Sequence, residues 1–292
     1  MSSSPRRCTC WPTIRRRPPA GWPARRYSRP ILDMGEATRR GGAPKTDLEK
    51  GYDAAEREQI ARVRQGAHRH AVLNLGRART AGDQSARTDA VAAIHAEAAR
   101  VLDDATESFL RAARDGPAIA ARIACRKGCA FCCYVQVEAT VVEVSGVAAV
   151  VEKDAALVRS VLETAPRVAG LDALGRARAR VPCPLLRDGA CSIYADRPRS
   201  CRALTSYDAR RCEDDLNQPD VPREPTRTFT WPRVLASAAT EGIRGACRDL
   251  GLQDCTVELT EGVAAVLRDP AIVARWLAGE AVFPEYKATR GA

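Results

Sequence analysis

Between Asp47 and Asp115 the apolar residues recur at three- and four-residue intervals, the period of an amphipathic helix. One helix is expected from Asp47 to about Arg79, where "TAGDQS" breaks it. A second then carries Val91, Ile94, Ala98, Val101, Ala105, Phe109 and Ala112 along one stripe, and "DGP" at Asp115 to Pro117 closes it. The two form a helical hairpin with its stripe against a core. Further on, "VQVEATVVEV" has the β-branched density of a short strand, and "VSGVAAVVEKDAALVRSVLETA" returns to the helical period. "LDALGRARARV", residues 171 to 181, reads as a short helix, and the stretch after it is rich in turns. C-terminal helices are expected at Pro232 to Leu250, Glu258 to Arg268 and Pro270 to Ala278, with Asp269 as N-cap and Pro270 at the first helical position. No solenoid-type repeat is present. The fold class is mainly α: a helical hairpin and C-terminal helices around an irregular, loop-rich module.

Four segments follow. Residues 1–45 are rich in Pro, Arg, Ser and Gly without hydrophobic period, and read as a disordered basic tail, with Met34 an alternative start of translation. Residues 46–118 are the hairpin, 119–215 a cysteine-rich module, and 216–292 helices packing on the same domain. The net charge of +10 belongs mostly to the tail, which holds eleven of 46 basic residues but two of 36 acidic ones, leaving 35 against 34 elsewhere. A nearly neutral body makes nucleic acid an unexpected partner for the folded part. The start lacks the apolar run of an export signal, and arginine pairs such as Arg6–Arg7 have no apolar segment behind them. Val135 to Val151, broken by Glu138 and Glu143, is too short and charged to span a bilayer. A cytoplasmic protein is expected, in a compartment where thiols stay reduced.

Twelve cysteines in 292 residues are far fewer than the roughly 8–10% of a disulfide scaffold, and a chain this long needs no staples. Cys8 and Cys10 fall in the tail. Eight others form two groups, Cys125, Cys129, Cys132 and Cys133 in "CRKGCAFCC", then Cys183, Cys191, Cys201 and Cys212. Cys129-x-x-Cys132 lets two thiolates converge from one tight turn. Adjacent side chains diverge, so Cys132 and Cys133 together suit a polynuclear cluster or two metals better than one tetrahedral ion. No histidine stands near either group; His68 and His70, two apart on a helix, do not face each other. Thiolate-only donors leave an iron–sulfur cluster, or alternatively zinc. Pro182, Pro184 and Pro198 stiffen the ligand loops. Arg197, Arg199 and Arg202 either offset thiolate charge or pair with Asp188, Asp196 and Asp208. Tyr194 is expected to pack over the site, and Cys247 to be a buried structural thiol. Cys255 has no assigned place.

"CRKGCAFCC" followed by "CPLLRDGACSIYADRPRSCR" resembles the YkgJ-like cysteine-cluster family, the zinc- or iron-chelating CxxCxxCC domain. The resemblance covers residues 125 to about 212 and implies eight ligating cysteines: Cys125, Cys129, Cys132, Cys133, Cys183, Cys191, Cys201 and Cys212. The same module occurs in a flagellin lysine N-methylase, but no glycine-rich nucleotide signature supports methyl transfer here. Cys125, Cys129 and Cys132 also match the cysteine spacing of radical enzymes, without the alternating strand–helix pattern of a barrel. Four functions remain in view: a cluster-bearing oxidoreductase or methyltransferase-like enzyme, a structural zinc module for partner binding, a thiol switch, and metal delivery or sensing. No catalytic residue is assigned.

Overall fold

The computed structural model describes residues 51–224 and 226–283. The expected tail, with Cys8, Cys10 and Met34, and the first residues of the expected opening helix lie outside them. Among the described residues there are eleven α-helices and two two-stranded pairs, so the chain is mainly helical.

Helix α1 spans Ala54–Thr80 and α2 Gln84–Ala112. Asp53 caps α1 by accepting from the Glu56 amide, and Glu56 in turn accepts from the Asp53 amide. The stripe read on α2 is buried at Val91, Ile94, Ala98 and Phe109. The "DGP" signal does more than stop α2: Pro117 sits in the first turn of α3, Gly116–Arg122.

The strand expected at 135–144 is only β1, Glu138–Thr140; the β-branched residues behind it are helical, in α4, Val141–Val151. A capping box overrides their strand propensity. Glu143 N–H donates to Thr140 Oγ1, and Thr140 N–H to Glu143 Oε2. Asp154 then caps a separate α5, Ala155–Val168, where the sequence pattern suggested one helix throughout. The short helix read at 171–181 is α6, Ala173–Ala179.

Within the cysteine module, β2 (Leu186–Arg187) and β3 (Ala190–Cys191) pair as a hairpin, followed by α7, Arg199–Ala203, and α8, Ala209–Asn217. The C-terminal part holds α9 (Trp231–Asp249), β4 (Thr256–Glu258), α10 (Leu259–Arg268) and α11 (Ile272–Leu277). The last helix starts later than expected: its N-cap is Ala271 rather than Asp269, and Pro270 lies in the turn before it, where Asp269 accepts from the Ala271 amide.

The first of two apolar clusters centres on α4, α5, α10 and α11, with Val142, Val147, Ala264 and Trp276 fully enclosed. The second joins α1, α2 and α9 around Phe109, Phe229 and Trp231, whose rings lie 5.1–5.7 Å apart. Helices α1 and α9 meet nearly backbone to backbone: a Cβ on Gly242 would lie 2.1 Å from the Arg64 carbonyl oxygen. Strands β1 and β4 pair antiparallel, Glu138 opposite Glu258, and each runs straight into a helix. Because the pairing is antiparallel, α4 leaves one end of this ladder and α10 the other, and it is the α10 end, Glu258 to Thr260, that borders the cysteines.

Candidate metal centre

The first cysteine group is shaped by two tight turns. Cys129 N–H closes the first onto the Arg126 carbonyl, with Gly128 at φ +95°, a value a type II turn requires at that position. A 3-10 turn, Phe131–Tyr134, carries Cys132 and Cys133. The second group depends on the β2–β3 hairpin, whose two-residue turn, Asp188–Gly189, has positive φ at both positions (+48° and +72°). This is the turn that Asp-Gly favours, and it presents Cys191 beside Cys183. Two backbone hydrogen bonds join the groups: Cys183 N–H to the Cys133 carbonyl at 2.7 Å, and Ala124 N–H to the Ser206 carbonyl at 2.8 Å.

Together these turns surround one cavity of about 80 Å³. About 10–15 Å³ on the same measure suffices for one water, so the space is several atoms wide. Six predicted residues line it: Cys129, Cys132, Cys133, Cys183, Cys191 and Cys201. Cys125 and Cys212 do not. They meet at Ser206, whose N–H donates to Cys125 Sγ at 3.1 Å and whose side chain hydrogen-bonds Cys212. All ten described cysteines are free thiols. Among the described residues no three His, Cys, Asp or Glu side chains are drawn tightly enough together to hold an ion as they stand. The thiols form a ring around a space rather than a closed shell.

Burial and mutual repulsion raise several of the thiols. Burial, with Cys129, Cys132 and Cys212 adding repulsion, pushes Cys125 up to about 11. Burial and the nearby Cys191 take Cys183 to about 12, and Cys201 is displaced upward for the same reasons. Cys132 is pushed well up by its thiol contact with Cys133 and by burial. That contact departs from the divergence expected of sequence neighbours. In the 3-10 turn both side chains reach the cavity.

The three arginines of the motif have different partners. Arg199 is fully buried, its guanidinium 2.8 Å from Glu143 and its backbone N–H donating to the other Glu143 oxygen at 2.9 Å, which anchors α7 and Cys201. Arg202 reaches Asp103 at 2.6 Å and the Ala195 carbonyl. Neither pairs with Asp188, Asp196 or Asp208. Arg197 alone of the three lines the cavity; it lies 3.8 Å over the Tyr194 ring, with its Nε buried and unpartnered. Its charge lowers the pKa of Cys132, Cys191 and Cys201 against the larger effects that raise them. Tyr194 lines the cavity under it, as the sequence suggested.

Arg176, Glu258 and Thr260 also line the cavity, and no motif marks them. Arg176 pairs with Glu258 at 3.1 Å, both 2% exposed, and donates to the Val181 carbonyl, bracing the loop into Cys183. Of the sites set aside earlier, His68 pairs with Asp249 at 2.7 Å and His70 lies 3.1 Å from Asn74. Cys247 and Cys255 are both buried in the first apolar cluster.

Residues 124–221 match the family model "CxxCxxCC: Putative zinc- or iron-chelating domain". This segment is similar to the CxxCxxCC domain over about a third of the chain. It contains all eight cysteines of both groups, and metal chelation is the function its family description carries. Neither the curated proteins nor the solved structures gave a match to the chain. The matched segment ends before α9, whereas the cavity beside its thiols is completed by Glu258, Leu259 and Thr260. Among the described residues no helix is long and apolar enough to cross a membrane.

Proposed function

We propose that the protein is a metal-binding cysteine-cluster protein whose centre is an iron–sulfur cluster, with zinc as the alternative, held by thiolates of Cys125, Cys129, Cys132, Cys133, Cys183, Cys191, Cys201 and Cys212. The observation that carries this reading is the ring of six free thiols, drawn from both groups, around one cavity. Soft thiolate donors without histidine or water-facing carboxylates suit iron–sulfur clusters and zinc above other biological metals. A space several atoms wide favours a polynuclear centre over a lone ion. When bound, such a cluster supplies one-electron redox chemistry. The chain contributes the thiolates, the Arg197 charge beside them, and the enclosing loops. Free thiols at this density fit a reducing compartment, the cytoplasm.

The test is metal and acid-labile sulfide content of the full chain purified without oxygen, with the visible spectrum before and after dithionite. Iron with sulfide and a bleachable band is the expected result; stoichiometric zinc with a silent spectrum selects the alternative. A further reading, in which the centre serves an oxidoreductase or methyltransferase-like enzyme, is favoured by the apolar wall of Val135, Val137, Leu185, Ile193 and Leu259 beside the thiols. Substrate pockets have this character.

A further inference from the structure

The eight thiols are not equally held, and the difference follows the framework behind them. Cys183, Cys191 and Cys201 lie on braced segments. The β2–β3 hairpin holds Cys191, the buried Arg176–Glu258 pair holds the approach to Cys183, and the buried Arg199–Glu143 pair holds α7 with Cys201. Cys183 and Cys201 line the cavity, and burial is the first cause that raises both thiols. Cys133 belongs with them through its carbonyl, which accepts from Cys183 N–H. The charge of Arg197, stacked on Tyr194, also lies on this side, near Cys191 and Cys201.

Cys125 and Cys212 stand outside the cavity on a looser frame. Cys212 is on α8, a nine-residue helix in which Leu216 alone is buried and whose main packing is against the 3-10 turn. Cys125 has Cys129, Cys132 and Cys212 as its thiol neighbours, and Cys212 has Cys129 and Cys132. Cys201, by contrast, neighbours Cys183, Cys132 and Cys191. Cys132 neighbours both sets of thiols.

The geometry points to a centre of two unequal compartments: an inner one built on Cys133, Cys183, Cys191 and Cys201 that retains its metal, and an outer one built on Cys125, Cys129 and Cys212 that exchanges it, with Cys132 between them. Moving α8 away from the 3-10 turn would separate Cys212 from Cys129 and Cys132 at the cost of exposed bonds such as Arg180–Asn217 and Thr226–Asp215. Opening the inner compartment requires breaking a buried ion pair. A metal-delivery or metal-sensing role would use the outer position. This inference rests on the metal reading above.

The full-length protein, as purified without oxygen, is treated with EDTA in steps. Released metal is measured, and exposed thiols are trapped with iodoacetamide and located by peptide mass spectrometry. The expected result is a first release step in which Cys125 and Cys212 become alkylated while Cys183, Cys191 and Cys201 stay protected. Cys212→Ser should retain the slow-release fraction and lose the fast one. Release in one step with all eight thiols alkylated together would overturn the compartments and leave the metal reading standing. A protein that holds no metal, with every thiol alkylated before chelator is added, would overturn both.

Discussion

Glu143 and Glu258 are glutamates withdrawn from water at the heads of α4 and α10, each gripping an arginine, yet they titrate oppositely. Burial raises Glu258 despite Arg176 and its amide donors. Burial pushes Glu143 the same way, but Arg199, the Thr140 amide and the Arg199 amide outweigh it and hold the carboxyl below its ordinary range. A depressed carboxyl binds its proton more readily when unfolded. Glu143 therefore contributes stability above the ordinary carboxylate range that is lost as pH falls. Urea unfolding between pH 7 and pH 4 should show this acid loss, and Glu143→Gln should flatten it. Arg199→Ala should cost about 3–5 kcal/mol, because it strands a buried carboxylate. Read from the sequence, the arginines beside Cys201 had two roles open, and the structure divides them: Arg199 and Arg202 are structural pairs, and Arg197 faces the thiols. The partners Glu143 and Asp103 were not legible because only folding brings them near.

At the scale of elements, long helices were the readable part. A periodic stripe of seven apolar residues in α2 leaves little room for another assignment. Three-residue strands carry no period, so β4 gave no signal, while β1 was drawn too long because Val141, Val142 and Val144 suit either state. Thr140-x-x-Glu143 is a visible capping box, and Asp188-Gly189 a visible hairpin turn; both devices were written in the sequence. Helix α9 offers a sharp test of packing. Gly242→Ala forces a Cβ against the Arg64 carbonyl and should destabilise by about 1–3 kcal/mol or more. Gly76→Ala, on α1 with nothing within 4 Å of the added carbon, should instead stabilise by about 0.5–1 kcal/mol. Opposite shifts in thermal midpoint would check the pair together.

For the whole molecule, the metal and the apolar clusters hold different regions. Thiols raised to about 11 and 12 at Cys125 and Cys183 are protonated at neutral pH. Metal must displace those protons, so binding should release them and tighten as pH rises. Calorimetry in two buffers of different ionisation enthalpy would count them. A structural zinc is worth about 10–16 kcal/mol in finger peptides, as much as a domain's whole stability of about 5–15. Chelation should accordingly cost the cysteine loops their hydrogen-exchange protection. Helices α1, α2 and α9, packed on Phe109, Phe229 and Trp231, should keep theirs.

The pairing of β1 with β4 also fixes an order of events during synthesis. Cys212, the last of the eight thiols, is made 46 residues before Glu258, and the wall formed by Glu258, Leu259 and Thr260 exists only once β4 has crossed to β1. At roughly 5–20 residues per second, that is an interval of about 2–9 seconds. Throughout it the nascent chain carries a full set of cysteines with one side of their enclosure missing. The open side is an entrance for metal and also an exposure to oxidants, and both close when the C-terminal strand arrives.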